Sequence, residues 1–137
     1  MIKVFIDGHD MYEEFGIIMS KRSIGTSKPR IYKQSIIGKN GDLDYTSFFG
    51  DLTYDNRTIT IEFLKKRDSN TQSLKYKLER MLNGKEVKVS FSDDESHYYK
   101  GRLSVESNDD DFRIYDLKVT IDAYPFKFKK SDNSEVK

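Results

Sequence analysis

The chain has 137 residues, near the commonest size of one folded domain, and a domain of that length buries roughly two-thirds of the surface its unfolded form exposes. Lys and Arg number 24 against 23 Asp and Glu, so the formal charge is +1 and no long-range field draws the chain towards nucleic acid or an anionic membrane. The absence of cysteine excludes disulfides, Cys zinc sites and thiol catalysis, while nine Tyr and nine Phe argue against disorder over most of a sequence that is 34% charged.

Ile2, Val4 and Ile6 alternate with Lys3 and Phe5 ahead of Asp7-Gly8, which predicts a short strand and a bend. This apolar stretch is shorter than a secretory core region, and no apolar run is long enough to cross a bilayer, so the chain reads as one made in soluble form. Ile17-Ile18-Met19 is a second strand candidate, and the Gly25 to Pro29 segment breaks it. Ile31 to Ile37 reads as extended. Gly38-Lys39-Asn40-Gly41-Asp42 then supplies the clearest hairpin turn, because Asn-Gly tolerates positive φ, and a strand through Leu43 and Tyr45 follows.

From Thr58 to Leu64 the alternation is regular, with Ile59, Ile61 and Phe63 on one face and Thr58, Thr60 and Glu62 on the other, the pattern of a half-buried antiparallel strand. Ser69-Asn70-Thr71-Gln72 fits a capping box, and Leu74, Leu78, Met81 and Leu82 recur at helical spacing before Asn83-Gly84. The spacing predicts one substantial helix over about 70–83. Val87, Val89 and Phe91 open a further strand, Asp93-Asp94-Glu95 a solvated turn, and Tyr99, Leu103 and Val105 face inward on the return. Asn108 to Asp111 closes that hairpin. Leu117, Val119, Ile121 and Ala123 form the next apolar face, the apolar Phe112 and Ile114 before them imply a bulge, and Phe126 to Lys130 reads as a last strand with a solvated outer face. The expected fold is mainly β, a β-sandwich of antiparallel sheets with the single helix packed alongside, with residues 1–130 as the domain and 131–137 as a polar tail or the stub of a missing second domain.

Few residues point to chemistry. His9 beside Asp10, Glu13 and Glu14 lacks a second imidazole at ligand spacing, so a surface turn is the better reading, and His97 reads as a strand-edge residue. Asp42-Leu-Asp44 lacks the ligand alternation and closing Glu of a calcium loop. The clusters Asp93-Asp94-Glu95 and Asp109-Asp110-Asp111 are read as solubilising hairpin tips before weak metal sites. No phosphate-binding glycine loop, nucleophile elbow or paired-His motif is present, so the expectation is a non-enzyme with no catalytic residue, cofactor or metal. Two aromatics and three lysines in Phe126 to Lys130 are too few to predict single-strand nucleic-acid binding.

In chain order stand Asp7-Gly8 leading to Phe15-Gly16-Ile17-Ile18, Pro29, the run Ile37 to Thr46, Tyr54-Asp55-Asn56-Arg57-Thr58-Ile59, the helix end Leu82-Asn83-Gly84-Lys85, Tyr98 to Leu103, and Asp122-Ala123-Tyr124-Pro125-Phe126. Together these pieces resemble the amino-terminal domain of distal tail proteins of long-tailed, siphovirus-type phages and prophages. The resemblance implies a β-sandwich plus helix that assembles as a homohexameric ring and joins the tail tube to the baseplate or tail tip. It further implies the tube protein, the tape measure protein and the tail-associated tip protein as neighbours, and a place at the distal end of the virion tail after synthesis in the bacterial cytoplasm. Many family members continue into a second, galectin-like domain, so the resemblance implies that this sequence is either a short member or the amino-terminal piece of a longer one.

By the same match Gly38, Gly41, Asp44, Tyr54 and Arg57 are structural or interface markers, with Arg57 expected to pair with a carboxylate such as Asp44 or Asp55 or to be solvated. The competing reading is a monomeric carbohydrate-binding β-sandwich that uses Tyr98, Tyr99 and Tyr124 as stacking platforms.

Overall fold

The computed structural model describes residues 2–66, 69, 71–108 and 114–136. The strands in chain order are β1 (Val4–Ile6), β2 (His9–Asp10), β3 (Ile18–Ile24), β4 (Lys33–Ser35), β5 (Asp42–Asp44), β6 (Arg57–Lys66), β7 (Glu86–Phe91), β8 (Asp94–Asn108), β9 (Ile114–Ala123), β10 (Lys127–Lys129) and β11 (Glu135–Val136). Two α-helices, α1 (Met11–Phe15) and α2 (Thr71–Leu82), and a 3-10 turn at Thr46–Phe49 complete the described elements. The fold is mainly β with antiparallel pairing throughout, as the alternation predicts. Nine strands share one sheet, whose main path runs β2-β1-β7-β8-β9-β6-β3, and β4 and β5 form a separate hairpin.

The large sheet folds over itself. Along the hydrogen-bonded order β3 lies four strand steps from β7, roughly 19 Å in a flat sheet. Yet the Arg22 guanidinium of β3 sits 4.7 Å from the centroid of Phe91 on β7. It also makes a two-pronged contact with Asp93 in the next turn, donating from Nη1 at 3.1 Å and from Nη2 at 3.0 Å. The two ends of the sheet therefore face each other, and the inward side chains of β1, β7 and β8 meet those of β9, β6 and β3 as the two layers of a sandwich.

The alternation read from the sequence is the alternation seen. Ile59, Ile61 and Phe63 are at most 1% exposed, as are Leu117, Val119, Ile121 and Ala123 on the neighbouring strand, paired in register from Arg57↔Ala123 to Lys66↔Ile114. Helix α2 adds Leu78 and Leu82 to this core and ends at Gly84, whose φ of +77° is the left-handed value expected after Asn83. Its C-terminus is tied to β8, since Gly84 N donates to Leu103 O and Arg102 Nη1 donates back to Gly84 O. The predicted capping box falls partly on Asn70, outside the described residues.

Helix α1 was not expected from the sequence. Asp10 caps it, accepting from Tyr12 N at 3.0 Å and Glu13 N at 3.4 Å, and Gly16 ends it at φ +68°. Met11 and Phe15 are buried one turn apart, so this single turn plugs the sandwich rather than standing as a helix by itself. Asp93 and Glu95 are exposed, as expected of a solvated turn, but Asp93 and Asp94 also make pairs the sequence did not predict. Asp93 holds Arg22, and Asp94 holds Lys127 Nζ at 3.0 Å and shares a hydrogen bond of 2.8 Å with His97 Nδ1. The triple Asp109 to Asp111 lies outside the described residues.

β8 is the central strand of this arrangement. One edge pairs with β7; the other pairs with β9 from Gly101 onward and with β10 at Tyr98 and His97. Between β9 and β10 the chain bulges through Tyr124-Pro125-Phe126, and the register moves from Gly101↔Ala123 to Tyr98↔Phe128. At that junction a Cβ on Gly101 would come within 2.6 Å of the Ala123 Cα and closer still to the Asp122 carbonyl oxygen, both backbone atoms that cannot rotate away. Residues 131–134, read as part of a polar tail, turn back so that β11 pairs with β10.

Two predictions follow from these contacts. Gly101→Ala forces β8 and β9 apart at the register change and lowers stability by about 2–3 kcal/mol in urea unfolding. Hydrogen bonds from Arg22 to Asp93, and from His97 and Lys127 to Asp94, hold both carboxyls below the usual aspartate range. A depressed folded value stabilises the fold above the unfolded value, near pH 4, and that contribution is lost as pH falls through the folded one. Because both pairs are partly exposed, Asp93→Asn should remove about 1 kcal/mol or less at pH 7, and the difference between variant and wild type should shrink towards pH 3 in acid titration.

Candidate functional site

All five residues singled out by the sequence fall on one excursion between β3 and β6. From Gly25, whose N–H donates to Thr58 O, the chain leaves the sandwich, and it returns at Arg57. The two sides of the excursion pair with each other: Pro29 bridges Tyr54, Arg30 N donates to Thr53 O, Asp55 N donates to Lys28 O, and Lys33 to Ser35 pair with Asp42 to Asp44. The result is an arm with its own ladder and no core. From Lys28 to Asn56 no residue is buried, and only Tyr45, Thr46 and Tyr54 are half-buried.

The tip of the arm is built by backbone conformation. Gly38 at φ +80° and Gly41 at φ +75° occupy the left-handed region, and Lys39 N donates to Ile36 O across the turn. Asp44 stands halfway along. Its Oδ1 accepts from Thr46 N at 3.0 Å and Thr46 Oγ1 at 2.6 Å, and those two donors hold its carboxyl below the usual range. Thr46 Oγ1 in turn accepts from Tyr32 N at 3.0 Å, so Asp44 starts the 3-10 turn and ties it to the opposite side of the arm.

The root is pinned by Arg57 and Tyr54. Arg57 does not take Asp44 or Asp55: Asp55 accepts from Arg30 Nε at 2.8 Å, and Arg57 turns to the bulge after β9. There its Nε and Nη2 donate to the Pro125 carbonyl oxygen at 3.0 and 2.6 Å, and Ser27 Oγ donates to the same oxygen at 3.2 Å. The guanidinium also lies 5.7 Å from the Tyr99 centroid. Tyr54 meets the edge of Phe126 at 5.7 Å, and a chain of rings continues through Tyr124 and Phe128 to Tyr98. One carbonyl and one aromatic chain thus fix where the arm leaves the body.

What the arm presents to solvent is apolar. Eight of the fourteen large hydrophobic residues exposed among the described ones lie between Ile31 and Leu52, so the exposure is a property of this segment and not of the surface at large. Phe48 is 79% exposed, Phe49 74%, and Ile37 at the tip is fully exposed. Phe48 and Phe49 sit edge to face at 5.1 Å, and Phe49 meets Tyr32 at 6.1 Å. Leu52, Phe48 and Ile31 line a shallow depression beside Asp44 and Tyr45. The sequence reading missed this patch, although the signal was present: the apolar residues of 31–52 do not alternate as a half-buried strand does.

The other candidates do not assemble into a site. His9 Nδ1 contacts Glu14 Oε2 at 2.7 Å on the surface, and among the described residues no three His, Asp or Glu side chains converge as metal ligands. Tyr98 and Tyr99, being consecutive on β8, point to opposite faces of the sheet. Tyr98 is 7% exposed and stacked on Phe128, while Tyr99 lies under Arg57 with its ring against Phe91, so they do not form a shared sugar platform with Tyr124. No described helix is long and apolar enough to cross a membrane.

No family model matches the sequence, and no curated protein sequence does. Among solved structures the chain is similar to the Dit protein of phage SPP1, described as a paradigm of the hub adsorption apparatus in phages that infect Gram-positive bacteria. The two share 18% sequence identity and superpose with a TM-score of 0.66 over 94% of this chain and 52% of that one. The chain therefore spans about half the length of that protein, and what the similarity establishes is a common fold.

Proposed function

We propose that the protein is a structural component of a siphovirus-type phage tail, a distal tail protein whose copies close into a homohexameric ring between the tail tube and the tip or baseplate. The fold shared with the SPP1 protein supports the tail assignment, together with the ordered motifs from Asp7-Gly8 to Pro125-Phe126. The apolar arm is the observation that carries assembly. Burying a ring such as Phe48 or Phe49 is worth about 2 kcal/mol, and the arm has no core of its own in which to do so.

The arm also supports a closed ring. A projecting arm that docks on the body of a second copy joins two different surfaces, and such a contact repeats from copy to copy until rotation closes a ring. The body offers β3, whose only described partner is β6, as an unpaired sheet edge. The tube protein, the tape measure protein and the tip protein are the partners this role requires, at the distal end of the virion tail. Catalysis has no part in it.

Native mass spectrometry across protein concentrations, with negative-stain images of the large species, tests this reading. The expected result is a hexamer with a central opening, and a strict monomer at every concentration would sink the ring. Phe48→Ser with Phe49→Ser should raise the concentration at which the ring dissociates by at least about 100-fold. Because neither ring is in the core, the thermal midpoint of the dissociated chain should stay where it was; unchanged hexamers in the double variant would remove the arm from the interface.

A further inference from the structure

A second feature lies away from the arm. The outer face of β1, β7 and β8 carries a groove of about 500 Å3, within the size range of small-molecule sites. Phe5, Lys88, Ser90 and Tyr98 line it from the strands, and Lys130 and Asn133 from the turn before β11. The groove exists because that turn folds back over the sheet, where Asn133 Oδ1 accepts from the Tyr98 hydroxyl at 2.9 Å.

Ser90 is the informative residue. It sits at the register irregularity between Val89 and Phe91 and is only 6% exposed, yet among the described residues its hydroxyl has no protein partner. A buried hydroxyl without a partner is unfavourable unless something else satisfies it. Two lysines line the same groove. Lys88 lies over the Tyr98 ring at 5.2 Å, and the side chain of Lys130 is exposed at the groove. The one acidic residue lining the groove, Asp7, already accepts from Lys88 N at 2.9 Å.

These groups select a class of ligand. Two cations against one carboxylate suit a monoanion, and no arginine fork or helix N-terminus lines the groove to favour phosphate. Phe5 and Tyr98 offer apolar ring surface beside the charges. We infer that this groove binds the carboxylate of a small amphipathic acid, with Ser90, Lys88 and Lys130 around the carboxylate and the carbon stem against Phe5 and Tyr98. The acid is either a free short-chain carboxylic acid or the side chain of an acidic residue on a partner protein, since both present the same group.

The test is a titration of the 15N-labelled full chain at constant ionic strength with butyrate, with acetyl-glutamate amide and with inorganic phosphate. The expected result is saturable amide shifts at Lys88, Ser90 and Asn133 with the carboxylates, and weaker binding of phosphate. Ser90→Ala, which removes a hydroxyl without opening a core cavity, should weaken carboxylate binding about tenfold, and Lys130→Gln, at an exposed position, severalfold. Binding of acetyl-glutamate amide tighter than that of butyrate assigns the groove to a protein side chain, and weaker binding assigns it to a free acid. Shifts that never saturate, phosphate binding tighter than butyrate, or wild-type affinity in the Ser90→Ala variant would each overturn the inference.

Discussion

The molecule turns on the close approach of two backbones at Gly101. There β8 carries β7 on one edge and β9 on the other, and the missing side chain lets the Asp122 and Ala123 backbone come within van der Waals contact. Immediately beyond, β9 ends, the chain bulges through Pro125, and β10 resumes on the same edge of β8. A fifteen-residue strand therefore serves both the folded-over sandwich and the C-terminal hairpin. Because the bulge arises at that point, the Pro125 carbonyl is displaced from the ladder and free to accept from other parts of the chain.

That displaced carbonyl is what anchors the arm. Three donors from both sides of the arm root, two on Arg57 and one on Ser27, converge on it, and Tyr54 adds a ring contact to Phe126. A charged guanidinium on a carbonyl oxygen is stronger than a neutral hydrogen bond, and here it is partly shielded by the Tyr99 ring. The root is pinned by these contacts while the remainder of the arm lacks buried residues, a combination that sets the direction of the arm without supplying anything for its apolar residues to pack on. The same bulge and hairpin cover the outer face of β8, bury Tyr98 and enclose the groove around Ser90. Core, arm and groove thus share one structural cause.

Much of the fold was legible because alternation reports burial directly. The strands at 58–64 and 117–123 and the helix ending at Asn83-Gly84 each expose a periodic apolar face that matches one element type, and the structure has them there. Helix α1 was not legible, since five residues with one cap and two apolar positions carry too little periodicity to be separated from a turn. The partner of Arg57 was not legible either. A carboxylate at positions 44 or 55 is near in sequence, whereas the Pro125 carbonyl is 68 residues away and becomes an acceptor only through the bulge.

By itself the sequence determined the all-antiparallel β character, the main helix, the identity of the core faces and the positive-φ turns at Gly38 and Gly41, because each depends on local conformational preference or on periodicity within one element. It also singled out the segment from Gly38 to Arg57 by resemblance. Only the tertiary structure decided that this segment is an arm, that its apolar residues face solvent while others of equal hydrophobicity are buried, and that Asp93 and Asp94 pair with Arg22 and Lys127. Those outcomes depend on which distant strands lie against one another, and hydrophobicity says that a residue prefers burial without saying which surface, in the same chain or another copy, provides it.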